Sequence, residues 1–180
     1  MTAARPRSML SPARDADHDP LEDTMDEHVQ LHDIWSGLVL PRPHRVAVAE
    51  DDDDMRRLIV RKLERDGYVV DELADGDALM EYLHAAMDPD ADAEPPDLLV
   101  TDVRMPGRSG VDVLDFLHAV QWPVPVVVIT AFGDRETHDL AVALGAVKVL
   151  DKPFALAELE LTIFSALVDR ELGSDDGCGG

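Results

Sequence analysis

Several things this chain lacks narrow its class. It has one cysteine, Cys178, so no disulfide framework can form within it, and a reducing compartment, the cytoplasm, is the expected one. Aromatic residues are scarce at 4%, so a core must be built from Val, Leu, Ile and Ala, and with 46% hydrophobic residues there are enough of them. Basic residues are few, 16 Lys and Arg against 38 Asp and Glu, which leaves a net charge of -22. That balance argues against direct nucleic-acid binding, which needs cationic patches to neutralise phosphates, and against an anionic membrane surface. It suits a divalent cation or a partner with a basic face, although most of the acids are expected only to solvate faces and tails. No apolar run is long enough to span a membrane, and the N-terminus, with Arg5, Arg7 and Arg14, has no apolar segment of a secretory leader.

What is present divides the chain in three. Residues 1–42 stand apart: Met1 to Asp23 has no hydrophobic period and reads as disordered. Met25 to Leu40 holds Val29, Ile34, Trp35 and Leu38 and reads as a weakly helical docking or covering segment. Its His28 and His32 have the spacing of a helical metal pair, but His28 is followed by Val29 instead of the Glu of a zincin motif, so a solvated helix face is the favoured reading. Residues 43–172 are expected to form the folded domain, and 173–180 a disordered tail.

Within the domain, short apolar runs alternate with helical patterns. Arg45 to Ala49 reads as a buried strand, Met55 to Arg65 as a helix, and Tyr68-Val69-Val70 as the start of a second strand. Asp75-Gly76 opens a helix with Ala78, Leu79, Tyr82, Leu83 and Ala86 inward. After a Pro/Ala/Asp loop over 88–96, expected on the surface away from the strands' C-terminal edge, Leu98 to Asp102 is the third strand. The next helix carries Val111, Leu114, Phe116, Leu117 and Val120. Val124 to Thr130 is the fourth strand, Asp134 to Leu144 a helix closed by Gly145, Val147 to Leu150 the fifth strand, and Ala155 to Leu172 the last helix. Strand-helix alternation of this kind predicts an α/β fold: a parallel sheet with helices on both faces.

In such sheets ligands bind at the C-terminal ends of the strands. Here that edge would hold Glu50, Asp51, Asp102, Thr130 and Lys152. In the acidic run Glu50 to Asp54, the last three residues read as helix capping and the first two as strand end. Taken singly, Asp102 could be a turn opener, Thr130 a strand residue and Lys152 half of a surface ion pair. Together, three carboxylates without soft ligands make a hard-cation site suited to Mg²⁺. A carboxylate nucleophile, a divalent ion, an ammonium and a hydroxyl are what phosphoryl transfer to an aspartate requires.

At this point residues from about 43 to 172 resemble the receiver domain of two-component response regulators. The motifs are Glu50-Asp51-Asp52, Asp102-Val103-Arg104-Met105-Pro106 with Gly110, Ile129-Thr130-Ala131 and Lys152-Pro153-Phe154, and their order and spacing are specific where each alone is weak. The resemblance implies a flavodoxin-like (βα)5 domain, a doubly wound parallel five-stranded sheet in the order 2-1-3-4-5. It implies Asp102 as the phosphoacceptor, forming a 4-aspartylphosphate. It further implies Asp51, Asp102 and the backbone carbonyl of Arg104 as Mg²⁺ ligands with Glu50 acting through water, Thr130 and the backbone of Ala131 on the phosphoryl oxygens, Lys152 as their ion pair, and a cis Lys152–Pro153 peptide. One position departs from the pattern. Receivers usually carry Tyr or Phe three residues before the lysine, as a switch coupled to the threonine, and here that residue is Val149. Phe132 and Phe154 lie nearby in the family's layout, and Arg104 and Phe132 occupy positions that tune phosphoryl lifetime.

The expected function is a stand-alone response regulator in a phosphorelay. A sensor histidine kinase or a histidine phosphotransfer protein phosphorylates it, and it passes the signal to a protein partner, with no direct nucleic-acid or membrane contact. It is expected not to be an enzyme beyond its own phosphorylation and dephosphorylation. One rival is a receiver-shaped interaction module independent of phosphorylation, for which Val149 speaks weakly. The other is a Mg²⁺-dependent phosphatase with an Asp nucleophile. It is disfavoured because such enzymes place Asp-x-Asp-x-Thr on the first strand.

Overall fold

The structure is a computed structural model that describes residues 43–131 and 135–173. The readings made above for residues 1–42, for Phe132 and for the last seven residues lie outside the described residues. Five strands and five helices alternate: β1 (Arg45–Ala49), α1 (Asp53–Arg65), β2 (Val69–Leu73), α2 (Gly76–Met87), β3 (Leu98–Asp102), α3 (Gly110–Ala119), β4 (Val126–Ala131), α4 (Arg135–Ala143), β5 (Lys148–Lys152) and α5 (Leu156–Gly173). All neighbouring strands are parallel and the sheet order is β2-β1-β3-β4-β5, as the resemblance implies. The chain leaves β1 for β2 on one side and returns to β3 on the other. The C-terminal ends of β1 and β3 therefore flank the point where strand order reverses, which opens a crevice.

Strand alternation divides the core between two faces. Val46, Val48, Leu98, Val100, Val127 and Ile129 point to one side, where Ile59 and Leu63 of α1 and Leu159, Ile163 and Leu167 of α5 cover them. Ala47, Ala49, Leu99, Val126 and Val128 point to the other, under Leu79 and Leu83 of α2, Val113 and Leu117 of α3 and Ala141 of α4. Each fully buried Leu or Ile contributes about 2 kcal/mol of transfer free energy, and the two buried layers are aliphatic, with Tyr82, Phe116 and Trp122 on one side and Tyr68 and Phe154 on the other packed against them only partly buried.

The elements differ from the sequence reading where polar residues interrupt a run or a helix ends early. β2 continues through Asp71 and Glu72 to Leu73; as an edge strand it is nowhere fully buried and tolerates both. Asp71 is held by Arg45, which donates from Nη1 to both its oxygens at 3.0 and 2.9 Å, and by the Tyr82 hydroxyl at 2.9 Å. Burial and the bond to Asp71 push the Tyr82 hydroxyl pKa up. β4 and β5 begin and end later than the apolar runs, so Lys152 is the last residue of β5. On α3 the buried stripe is Val113, Leu114 and Leu117; Val111 and Phe116 are only half-buried, and Val120, the C-cap, is exposed. On α2, Leu79 and Leu83 are buried as expected and Met80 joins them, whereas Ala78, Tyr82 and Ala86 are half-buried. The 88–96 loop lies at the opposite end of the strands from their C-terminal edge, and Arg45 Nη2 donates to its Glu94 at 2.6 Å.

The acidic run after β1 has two jobs. Asp52 is the N-cap of α1 and accepts the Met55 N–H at 2.8 Å, while Asp53 and Asp54 occupy the positively polarised first turn. α3 starts with a capping box: the Asp112 N–H donates to Ser109 Oγ at 3.2 Å and the Ser109 N–H donates to Asp112 Oδ2 at 2.8 Å. The bonds from Ser109 hold the Asp112 carboxyl below its ordinary pKa. A depressed folded pKa gives stability that is present above the unfolded value, about pH 4, and is lost as pH falls through the folded one. Chemical denaturation across pH 2.5–7 is therefore expected to find Asp112→Asn less stable than wild type at pH 7, with the gap shrinking below about pH 4. A gap unchanged over that range would exclude the ionised capping box.

Candidate functional site

Each residue assigned to the C-terminal edge is set there by the end of a strand. Glu50 follows β1, and its N–H donates to the Leu73 carbonyl of β2 at 3.2 Å, which continues the ladder by one residue. That pairing carries its side chain inside, where it is 0% exposed. Asp51 is the first residue free of the sheet and is exposed. Asp102 ends β3 and is 5% exposed. Gly110 is packed so closely under it that a Cβ there would lie 2.4 Å from the Asp102 carbonyl oxygen. Thr130 and Ala131 end β4, the first fully buried and the second exposed, and Ala131 is in register with Lys152 on β5.

The side chains converge. Lys152 Nζ donates to Glu50 Oε1 and Oε2 at 2.9 and 2.8 Å, and also to Asp102 Oδ2. The other Asp102 oxygen, Oδ1, accepts the Arg104 N–H at 2.9 Å. Glu50, Asp51 and Asp102 each offer one carboxylate oxygen, all within 4.8 Å of one another. The Thr130 hydroxyl is buried and has no hydrogen-bond partner among the described residues. Such a group is costly unless a ligand or water completes it. Lys152–Pro153 is cis, as the resemblance implied. The structure thus brings Glu50, Asp51, Asp102 and Lys152 together, with Thr130, Ala131 and the Arg104 backbone at the same edge.

Electrostatics follow from burial and from that one cation. Burial pushes the Glu50 carboxyl pKa up, and the nearby Asp102 charge adds to the shift against the opposing pull of Lys152. Burial pulls the Lys152 ammonium down, but the hydrogen bonds it donates to Asp102 and Glu50 outweigh that and hold its pKa above the ordinary value. One ammonium therefore faces three carboxyl groups. The excess of negative oxygen, without sulfur or imidazole, is a donor set for a hard divalent cation.

The sequence reading missed Arg56. Its Nη1 donates to the Glu50 carbonyl at 2.8 Å, and its Nη2 donates to Asp53, so it clamps the strand end to α1. The signal available was its i,i+3 spacing from Asp53. Val149 is buried in the core face shared with α2, α3 and α4, whereas Phe154 is half-buried against the α1/α5 face. The two therefore lie on opposite sides of the sheet.

Residues 46–164 match the family model "Response regulator receiver domain". Among known proteins, the chain is 36% identical over 118 residues to the transcriptional regulatory protein PdtaR of Mycobacterium tuberculosis, covering 65% of this chain and 53% of that one. It is 33% identical over 124 residues to the response regulator receiver protein CpdR of Brucella abortus, covering 69% and 97%. The chain thus spans about half the length of the first relative and nearly all of the second. Among solved structures, full-length FixJ from B. japonicum is similar at 31% identity and TM-score 0.63, covering 73% of this chain and 61% of that one. The Francisella response regulator 1452 receiver domain, at 24% identity and TM-score 0.63 over 71% and 98%, shares the fold. Receiver domains bind Mg²⁺ at an acidic pocket, are phosphorylated by histidine kinases and generally signal rather than catalyse. Among the described residues no helix is long and apolar enough to cross a membrane. With the family model covering well over half of its length, the chain belongs to the response regulator receiver domain family.

Proposed function

We propose that the protein is a phosphorelay response regulator whose Asp102 takes a phosphoryl group from a sensor histidine kinase or a histidine phosphotransfer protein. The observation that carries this reading is the meeting of Glu50, Asp51, Asp102 and Lys152 at the strand-order reversal. An Asp102 carboxylate oxygen attacks phosphorus, the P–N bond to the donor histidine breaks, and a 4-aspartylphosphate results. Mg²⁺, when bound, neutralises charge on the transferring oxygens. Asp51, Asp102 and the Arg104 carbonyl would hold it, with Glu50 acting through water; the all-oxygen donor set fits that ion.

The chain's own residues do the rest. The Arg104 N–H orients Asp102 through Oδ1. The Lys152 ammonium, already bonded to Asp102, transfers its bond to a phosphoryl oxygen as charge arrives, and the Thr130 hydroxyl and the Ala131 N–H complete the oxygens' hydrogen bonding. The phosphorylated side chain carries about -1.5 to -2 charges where the free carboxylate carries one, and this gain draws the β4 and β5 ends inward. The response is then a repacking of the face formed by α4, β5 and α5 that changes binding of a downstream protein. Moving such a two-state population from 1:99 to 99:1 takes about 5.5 kcal/mol of differential stabilisation.

Residues 43–172 are the receiver unit in this reading, preceded by an extension over 1–42 and followed by a short tail. The stand-alone part of this reading leans on CpdR, which the match covers nearly end to end, and not on PdtaR, of which it covers about half. Its chemistry is limited to its own phosphorylation and dephosphorylation. A low cysteine count fits action in the cytoplasm, on protein partners rather than on nucleic acid or membrane.

Acetyl phosphate with Mg²⁺ is expected to add one phosphoryl group to the wild-type chain, read by intact mass, and none to Asp102→Asn. Labelling of the Asn variant overturns the assignment, and turnover of a small phosphomonoester favours a phosphatase. Separately, Mg²⁺ without any phosphoryl donor is expected to raise the melting temperature of the wild type, by about 2.7 kcal/mol of added stability at a hundredfold excess over its Kd. EDTA should reverse the gain, and Asp51→Asn should lose most of it; an equal gain in that variant removes Asp51 from the metal site.

A further inference from the structure

The loop between β3 and α3, residues 103–109, carries the Arg104 backbone, to which the proposed function gives both an orienting N–H and a metal-facing carbonyl. Its two ends are tied to the sheet and to each other. The Val103 N–H donates to the Ile129 carbonyl at 2.9 Å, and the Gly110 N–H donates to the Val103 carbonyl at 3.1 Å. Its middle is met by a different element, the N-terminus of α2. Gly76, the first residue of α2, donates its N–H to the Pro106 carbonyl at 3.1 Å. That amide is among the four a helix start leaves without an internal partner.

The contact interlocks. Gly76 is buried, and a Cβ on it would lie 1.6 Å from the Arg108 carbonyl oxygen and 2.5 Å from its carbon, which is backbone and cannot rotate aside. Gly107 in turn has φ 74°, and a Cβ there would lie 2.2 Å from Oδ2 of Asp77, the next residue of α2. Each element places a glycine against a group of the other. The fold of α2 itself asks for no glycine: Asp75 caps it by accepting the Ala78 N–H at 2.8 Å, and the fully buried Leu79 and Leu83 anchor it. Glycine is also among the poorest helix residues. Its use at position 76 is explained by the loop.

We propose that the N-terminus of α2 is a positioning device for the acceptor loop. Gly76, Gly107 and Asp77 fix the Pro106–Arg108 segment, and through it the placement of the Arg104 N–H and carbonyl beside Asp102. The inference rests on the reading of Asp102 and Arg104 as metal-binding groups. Supports of this kind, one step removed from the ligands, alter metal affinity by about 10–100-fold when lost.

The test is a Mg²⁺ titration of the full chain by calorimetry, without any phosphoryl donor, beside the melting temperature of the metal-free protein. Gly76→Ala and Gly107→Ala are each expected to weaken Mg²⁺ binding at least tenfold at a temperature where circular dichroism shows them folded. Gly107→Ala is strained at φ 74° whatever surrounds it, so Asp77→Ala, which keeps both glycines, decides the matter if Gly76→Ala does not fold: it is expected to weaken Mg²⁺ binding, and an affinity equal to wild type would overturn the inference. Lowered melting temperatures with Mg²⁺ affinity equal to wild type would mean a purely structural contact and overturn the inference. A wild-type chain that neither binds Mg²⁺ nor is labelled on Asp102 overturns the underlying reading and this inference with it.

Discussion

Glu50 carries a carboxyl group that solvent does not reach, at the end of a strand whose residues 46–49 are aliphatic and buried, and one ammonium from the far edge of the sheet, with the Asp52 N–H, holds it there. Much of the site's arrangement is set by that contact. Lys152 reaches from β5 past β4 to bond both Glu50 on β1 and Asp102 on β3, so a single side chain ties together three strand ends. A buried carboxylate without such a partner costs several kcal/mol, and removing the partner is worse than never having had the pair. The sheet must therefore keep β5 extended to residue 152 and keep the strand ends level. In the proposed reaction, charge added to Asp102 would arrive where an ammonium is already bonded. The gain would then be only the difference between two states of that ammonium, and only this difference could move the rest of the molecule.

Much of this was legible in the sequence because a parallel sheet writes itself in short apolar runs. Val46, Val48, Leu98, Val100, Val127 and Ile129 are buried on one face and Ala47, Ala49, Leu99, Val126 and Val128 on the other, and the polar residue that stops each run marks the C-terminal edge. Glu50, Asp102 and Thr130 were readable for that reason, and Lys152 followed from the motif it shares with Pro153 and Phe154. What was not legible depends on partners distant in sequence. Asp71 and Glu72 broke the pattern of β2 because their acceptability depends on the edge position and on Arg45 and Tyr82. Val120 continues the apolar pattern of α3 but lies past Ala119, where the helix stops. The Asp75-Gly76 pair read as a turn opener, which it is, but its contact with Pro106 and Arg108 has no local signature at all.

Val149 sharpens how such a site is read out. An aromatic ring can swing between an inward and an outward rotamer and so report a small movement by a large displacement. Valine is β-branched, strongly restricted at χ1, and here buried to 8% exposure in the core face shared with α2, α3 and α4. It has no second position to occupy, so rearrangement on that side has to be carried by backbone. The element most easily moved is α4. Within its nine residues Ala141 alone is buried, while Leu140 and Val142 stand 46% and 52% exposed. An element with so little buried apolar surface sits at the low end of local stability, where a few kcal/mol decide its position. α5, by contrast, is pinned by Leu159, Ile163 and Leu167 against the opposite face and offers no comparable freedom. The pull on the ends of β4 and β5 that the proposed function invokes would meet a helix pinned by three buried side chains on one side of the sheet and one with a single buried residue on the other, and the displacement would go to α4.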